Sequence, residues 1–306
     1  MRIINKIQES KVGMILALGV LAISTAAIFI RLCFEIAGVQ GVGFSLFLAA
    51  SRLIIAATIL LPRWPNLKYT QENRSATYYA CGAGCCLALH FATWITSLSF
   101  TSIATSTTLV TTTPVWISLL SWWWFGEKLT KPMIRGITIA LVGGILITLG
   151  DGSIGGENNN PLLGDFLALI GAWMASLYLL LGREAQRFGF SVGNYILIAY
   201  SSAALLLLPF PLLMGTSYLG YPKEVYLYVL LMAIFSQLIG HTTLNWAVRS
   251  ISPTLVALAI LFEPVGSSVF GWIIFGELPP QLVILGGVVV LIGVAIAIIA
   301  KTENRE

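Results

Sequence analysis

The chain has 306 residues, of which 57% are hydrophobic and only 10% charged, with a mean hydropathy of +0.89; soluble domains run at roughly 45–50% apolar and about 25% charged. These proportions exclude a water-soluble enzyme or scaffold and indicate an all-α integral membrane protein. A net charge of +4 is too small to argue for a nucleic-acid partner, and instead suits attraction to anionic lipid at one membrane face.

A spanning helix needs about 20 apolar residues. Ten segments meet that condition in chain order: 12–33, 42–61, 76–99, 103–125, 133–150, 162–182, 191–212, 225–247, 253–275 and 281–300. The first follows Arg2, Lys6 and Lys11, yet it outlasts the roughly 7–15-residue apolar core of a secretory signal. It is therefore read as a retained helix. With the N-terminus cytoplasmic, the inner loops receive Arg63, Lys68, Arg74, Lys128, Lys131, Arg135, Arg183, Arg187 and Arg249, and the tail receives Lys301 and Arg305. The outer side keeps Lys223, with Arg31 near a boundary and able to snorkel. That asymmetry predicts both termini cytoplasmic.

Cys33, Cys81, Cys85 and Cys86 lie in apolar segments, and the spacing of "CGAGCC" matches neither a redox pair nor a zinc site. They are expected to be packing residues.

Sliding the chain against itself reveals a shift of 150 residues. "PVWISLLSWWWFGE" (Pro114–Glu127) then lies over "PVGSSVFGWIIFGE" (Pro264–Glu277), Gly136 over Gly286 and Gly143 over Gly293, without a gap. Each copy holds five segments, an odd number, so the second copy must be inverted in the membrane. The expected organisation is a first repeat over 12–150, an extracytoplasmic linker over 151–161 and a second repeat over 162–300. In the linker, Asn160 is placed to cap the next helix and Pro161 to open it; Ser252 and Pro253 are placed likewise before the ninth segment. Inverted repeats of this kind are the recurrent build of secondary transporters, with sites near the midplane where helices are interrupted.

These features together resemble the EamA-type transporters of the drug/metabolite transporter superfamily: two five-helix halves, each with "P-V … F-G-E" in its fourth helix and a glycine-spaced fifth. The resemblance implies a ten-helix exporter or exchanger of small metabolites in a bacterial inner membrane, although a plastid envelope suits the sequence as well. It also implies a central cavity lined by the first, third, fourth, sixth, eighth and ninth helices.

The segment "LAILFEPVGSSVFGW" puts Glu263 beside Pro264. Ten residues into its segment, the carboxylate lies about 15 Å deep at about 1.5 Å per residue, near the middle of a core about 30 Å thick. An ionised group there costs at least about 2.5–3.5 kcal/mol and so faces a cavity or a partner. Pro264 cannot donate to the carbonyl of Ile260. Glu263 is thus a candidate to bind an amine or to exchange protons with it, or else to pin helices; Pro114 and Pro264 are candidate helix breaks. Its counterpart in the first repeat is Thr113.

His90 and His241, the two histidines, fall one residue out of the 150-residue register. They are candidates for substrate hydrogen bonds or a proton relay, against simple helix-to-helix bonding. Trp94, Trp116 and Trp173 are candidates for an aromatic cage around an apolar or aromatic substrate, with cation–π attraction for an amine, against a lipid-facing or helix-packing role; Tyr178 and Asn245 are further polar candidates. Trp122, Trp123, Trp124 and Trp272 belong at the interfaces. Arg52 has two readings, recognition of a carboxylate or phosphate and a structural role with a partner or backbone carbonyls; the second is favoured, because the resemblance implies that its helix is peripheral. Glu127 and Glu277 are boundary residues.

No metal cluster or cofactor motif occurs, and no GxxxxGK[ST] supports ATP-driven pumping. A channel would want a carbonyl filter or a charged ring, neither of which is present. An intramembrane hydrolase would have to use Ser267 or Ser268 with a distant histidine. Phosphorylated solutes such as nucleotide sugars call for Arg and Lys in the cavity. A secondary transporter of amino acids or related amines is the favoured expectation, with a small-molecule substrate, protons and the bilayer as its partners.

Overall fold

The computed structural model describes residues 2–67, 74–126, 130–151, 160–250, 259–276 and 278–303. Among them every regular element is helical. The first segment is α1 (Arg2–Ser24) and α2 (Ala26–Ala37), separated at Thr25; α3 is Val42–Leu60 and α4 is Arg74–Ser97. The fourth segment is α5 (Ile103–Val110) and α6 (Thr113–Phe125), followed by α7 (Lys131–Asp151) and α8 (Pro161–Arg187). Then come α9 (Val192–Leu207), the short α10 (Phe210–Leu213) and α11 (Lys223–Leu231). A π-helical segment, Met232–His241, leads into α12 (Thr242–Ser250), and α13 (Glu263–Phe275) and α14 (Gln281–Glu303) complete the chain. Seven helical stretches among the described residues are long and apolar enough to cross a membrane, and Gln281–Ala297 is a shorter apolar one.

Local chemistry sets many of the helix ends. The Asn160 side chain accepts from the Leu163 N–H at 3.3 Å, and Ser191 likewise caps α9. Gly126 and Gly276, counterparts under the 150-residue shift, both take left-handed φ values, 65° and 69°, a conformation that terminates helices and suits a residue without a Cβ. Ser252, Pro253, Glu127 and Glu277 lie outside the described residues.

Breaks occur two residues before each repeated proline, at Thr111–Thr112 and at Leu261–Phe262. The first has an evident cause. Thr107, Thr108, Thr111, Thr112 and Thr113 all turn their hydroxyls back on carbonyls of their own chain at 2.7–2.9 Å, which weakens helical bonding, and Pro114 then removes a donor. Neighbouring helices tie down both breaks. The Thr113 carbonyl accepts the Ser176 hydroxyl at 2.9 Å, and the carbonyl of its counterpart Glu263 accepts the Ser24 hydroxyl at 3.3 Å.

Packing follows the duplication. α7 lies on α14, α3 on α9 and α5 on α13, while the pairing of α4 with α8 is matched by that of the π segment with α1. The α7–α14 seam runs antiparallel. A Cβ added at Gly136 would sit 2.6 Å from the Gly293 carbonyl oxygen, and one at Gly143 would sit 2.6 Å from the Val290 nitrogen and 2.8 Å from the Gly286 oxygen. The 150-residue shift exchanges the pair Gly136–Gly293 with the pair Gly286–Gly143, so the two copies meet through the same surface. Small residues allow this backbone approach in a medium where apolar burial alone gives no drive to associate.

Candidate functional site

Among the described residues the largest fully buried side chain is Arg52 of α3, with no exposed surface. Its placement differs from the expectation of a peripheral helix, because α3 is wedged between α4, α9 and the π segment. The guanidinium stacks over Phe91 of α4 at 4.0 Å from the ring centroid, and Nη2 donates to Gln237 Oε1 at 3.0 Å. Gln237 belongs to the π segment, whose wider turn presents Gln237 and His241 toward α3 and α4 together. Single π turns are often found at functional sites; here the π geometry runs for ten residues.

Phe91 organises the aromatic part of the site. His90 lies 4.8 Å from its ring and His241 meets it edge-on at 5.4 Å, so the two histidines flank one phenylalanine. His90 Nδ1 is 2.9 Å from the Gly171 carbonyl on α8, and its ring stacks on Trp94, 5.9 Å away and inclined by 2°. Gly171 is what lets α8 approach: a Cβ there would press on Trp94 at 3.3 Å.

A second polar group adjoins the first. Asn245 Nδ2 donates to the Tyr178 hydroxyl at 2.8 Å and to the His241 carbonyl at 2.9 Å, and Tyr178 stacks on Tyr195 at 6.0 Å. Tyr200 and Thr242 share a hydroxyl contact of 3.5 Å. Thr242 also lines a cavity of about 350 Å³ with Ile15, Arg63, Ile196 and Trp246.

Glu263 opens α13, with Pro264 in its first turn. Its side chain is partly exposed, and among the described residues it makes no hydrogen bond or ion pair. Arg52 is within electrostatic reach of Glu263, Tyr200, His90 and His241.

The structure therefore gathers His90, His241, Trp94, Tyr178 and Asn245 into one connected region, with Glu263 outside its hydrogen-bond and ring contacts. Trp116 is half-buried beside it, its indole N–H donating to Thr112 at the helix break. Trp173 is 43% exposed and shares no ring or hydrogen-bond contact with the others. Trp122, Trp123, Trp124 and Trp272 are exposed. Ser267 donates to the Ser24 carbonyl at 3.1 Å and is buried, which places its hydroxyl in helix packing rather than beside a histidine. All four cysteines are free thiols, and no group of metal-ligating side chains occurs among the described residues.

Three residues that matter were not singled out from sequence. Phe91 and Gln237 carried no local signal. Asp165, buried on α8, accepts from Thr101 at 3.2 Å while Arg31 donates to the Thr101 carbonyl. Asp165 could have been noticed as an acid inside an apolar segment.

Broken, pseudo-symmetric helices around a buried polar cluster define a transporter-like membrane fold. The profile of the EamA-like transporter family matches residues 10–149 and again 162–299. The chain belongs to that family and is an integral multi-pass membrane transporter of small solutes. It is 22% identical over 289 residues to a protein of Archaeoglobus fulgidus called an uncharacterized transporter, covering 94% of this chain and 96% of that one. It is 23% identical over 194 residues to the uncharacterized transporter YdfC of Bacillus subtilis, covering 63% and 61% of the two chains. A solved crystal structure superposes with a TM-score of 0.61 at 18% identity, over 97% of this chain and 99% of that one, a likeness of fold. The family resemblance drawn from the repeated motifs thus holds.

Proposed function

We propose that the protein exports or exchanges amino acids or closely related amines by alternating access. In this reading ten helices form two inverted halves, 12–150 and 162–300, joined by an extracytoplasmic linker at 151–161, with both termini on the cytoplasmic side of a bacterial inner membrane. The observation that carries the proposal is Glu263: a carboxylate at the start of a broken helix, within an apolar segment, with no ionic partner among the described residues. Such a group is costly unless it serves a ligand or a proton. His90, Trp94, Phe91 and His241, clustered beside Arg52, supply aromatic walls that suit a small zwitterion with an apolar side chain. Protons are the coupling ion in this reading, with the Glu263 carboxylate as their carrier.

The test is counterflow of a labelled amino-acid panel in proteoliposomes, from mildly acidic to mildly alkaline pH, for wild type and Glu263→Gln. The expected result is exchange by the wild type that the substitution abolishes or strips of its pH dependence. Failure of every amino acid and amine to drive exchange in the wild type would overturn the proposal.

A further inference from the structure

Arg52 presents a one-signed imbalance. Its Nη2 is satisfied by Gln237, but Nε and Nη1 have no acceptor among the described residues, and neither has Gln237 Nε2. All three nitrogens are buried donors, carried on two side chains locked together by a 3.0 Å hydrogen bond. An uncompensated guanidinium inside a membrane protein is among the costliest arrangements available to it, and Phe91 offsets it only through its ring face. The ionisable groups within electrostatic range of this cation are Tyr200 from α9, His90 from α4, His241 from the π segment and Glu263 from α13. Glu263 is the carboxylate among them, and it makes no ion pair with Arg52 in this structure. A cation short of acceptors and a carboxylate short of donors therefore lie within electrostatic range of each other without an ion pair.

We propose that Arg52 and Gln237 form a carboxylate subsite, so that the substrate's carboxylate bonds to Arg52 and the Gln237 amide while its ammonium turns toward Glu263. This deepens the amino-acid reading above and rests on it. The planar guanidinium offers paired N–H groups that match the two oxygens of a carboxylate. A phosphate dianion would call for more cations, and Arg52 is the one fully buried arginine or lysine among the described residues. The π segment contributes by aiming Gln237 at Arg52, so that the amide both fixes the guanidinium and adds a donor of its own.

The experiment measures how carboxyl-bearing and carboxyl-lacking ligands compete for exchange in proteoliposomes. Phenylalanine is compared with phenylalaninamide and phenethylamine, and leucine with leucinamide and isopentylamine, for wild type, Arg52→Gln, Arg52→Lys and Gln237→Leu. Hydrogen bonds to a charged partner correspond to a preference of roughly ten- to a hundredfold for the amino acid in the wild type. That ratio should fall toward unity in Arg52→Gln, should be only partly restored by the point charge of Arg52→Lys, and should drop severalfold in Gln237→Leu. A purely structural Arg52 would lower all exchange together and leave the ratio intact. An unchanged ratio in Arg52→Gln overturns the subsite; if that variant does not assemble, an unchanged ratio in Gln237→Leu does so. A wild type that exchanges amino acids without preferring them over their amines also overturns the subsite while sparing the amino-acid reading. A wild type that exchanges none of these compounds removes both.

Discussion

The glycine seam between α7 and α14 makes a quantitative test of the pseudo-symmetric scaffold. In Gly143→Ala the new methyl group would lie 2.6 Å from a backbone nitrogen of α14, whereas ordinary contact begins at 3.4 Å. The obstacle is main chain, so no rotamer change relieves it, and the helices must part by roughly 0.8 Å, losing contact along the seam. Overpacking of this kind costs about 1–3 kcal/mol, partly offset by the gain of up to about 1 kcal/mol when alanine replaces glycine within a helix. The adjacent Gly144 provides the control, because its nearest neighbour is a flexible Leu109 methyl at 3.8 Å; Gly287 faces Thr108 at 3.9 Å. Gly143→Ala should therefore be less stable than Gly144→Ala by about 1–3 kcal/mol, and Gly293→Ala, its counterpart in the other repeat, should resemble Gly143→Ala. The assay is unfolding of the purified protein in one fixed detergent, followed by helical circular dichroism. Equal stability of the Gly143 and Gly144 variants would refute the antiparallel register assigned to the seam.

Removing the hydroxyls that hold the breaks should act on both halves: Ser176→Ala and Ser24→Ala are each expected to cost about 1 kcal/mol and to lower exchange rates, and a pair of variants with wild-type melting and rates would show that these bonds do not hold the breaks. Asn245→Leu leaves the Tyr178 hydroxyl without its donor and the His241 carbonyl without its extra bond, a loss of about 1–3 kcal/mol for the buried groups left unpaired. Tyr178→Phe, which removes only one partner of that network, should cost less; the reverse order in the same melting assay would contradict the assignment.

Much of the architecture was legible because it is written locally. Apolar run length marks spanning segments, Asn160 and Pro161 announce a helix start, and the 150-residue shift overlays Gly136 on Gly286 and Gly143 on Gly293 without any knowledge of contacts. That Glu263 and the histidine pair lie inside apolar segments was legible for the same reason. The breaks were announced by Pro114 and Pro264, although the threonine back-bonding that accompanies the first needed coordinates to be seen.

Tertiary structure alone decided which of these residues meet. Arg52 and Gln237 are 185 positions apart, and nothing in either neighbourhood names the other; their encounter depends on α3 lying against a π segment whose turn does not follow the ordinary 3.6-residue helical period. Phe91 looks like any apolar side chain in sequence, and becomes central only when Arg52, His90 and His241 converge on its ring. Depth in the membrane is a one-dimensional property that the sequence carries by itself. The direction in which a helix faces, and hence which charge is left without a partner, is a property of the packed assembly.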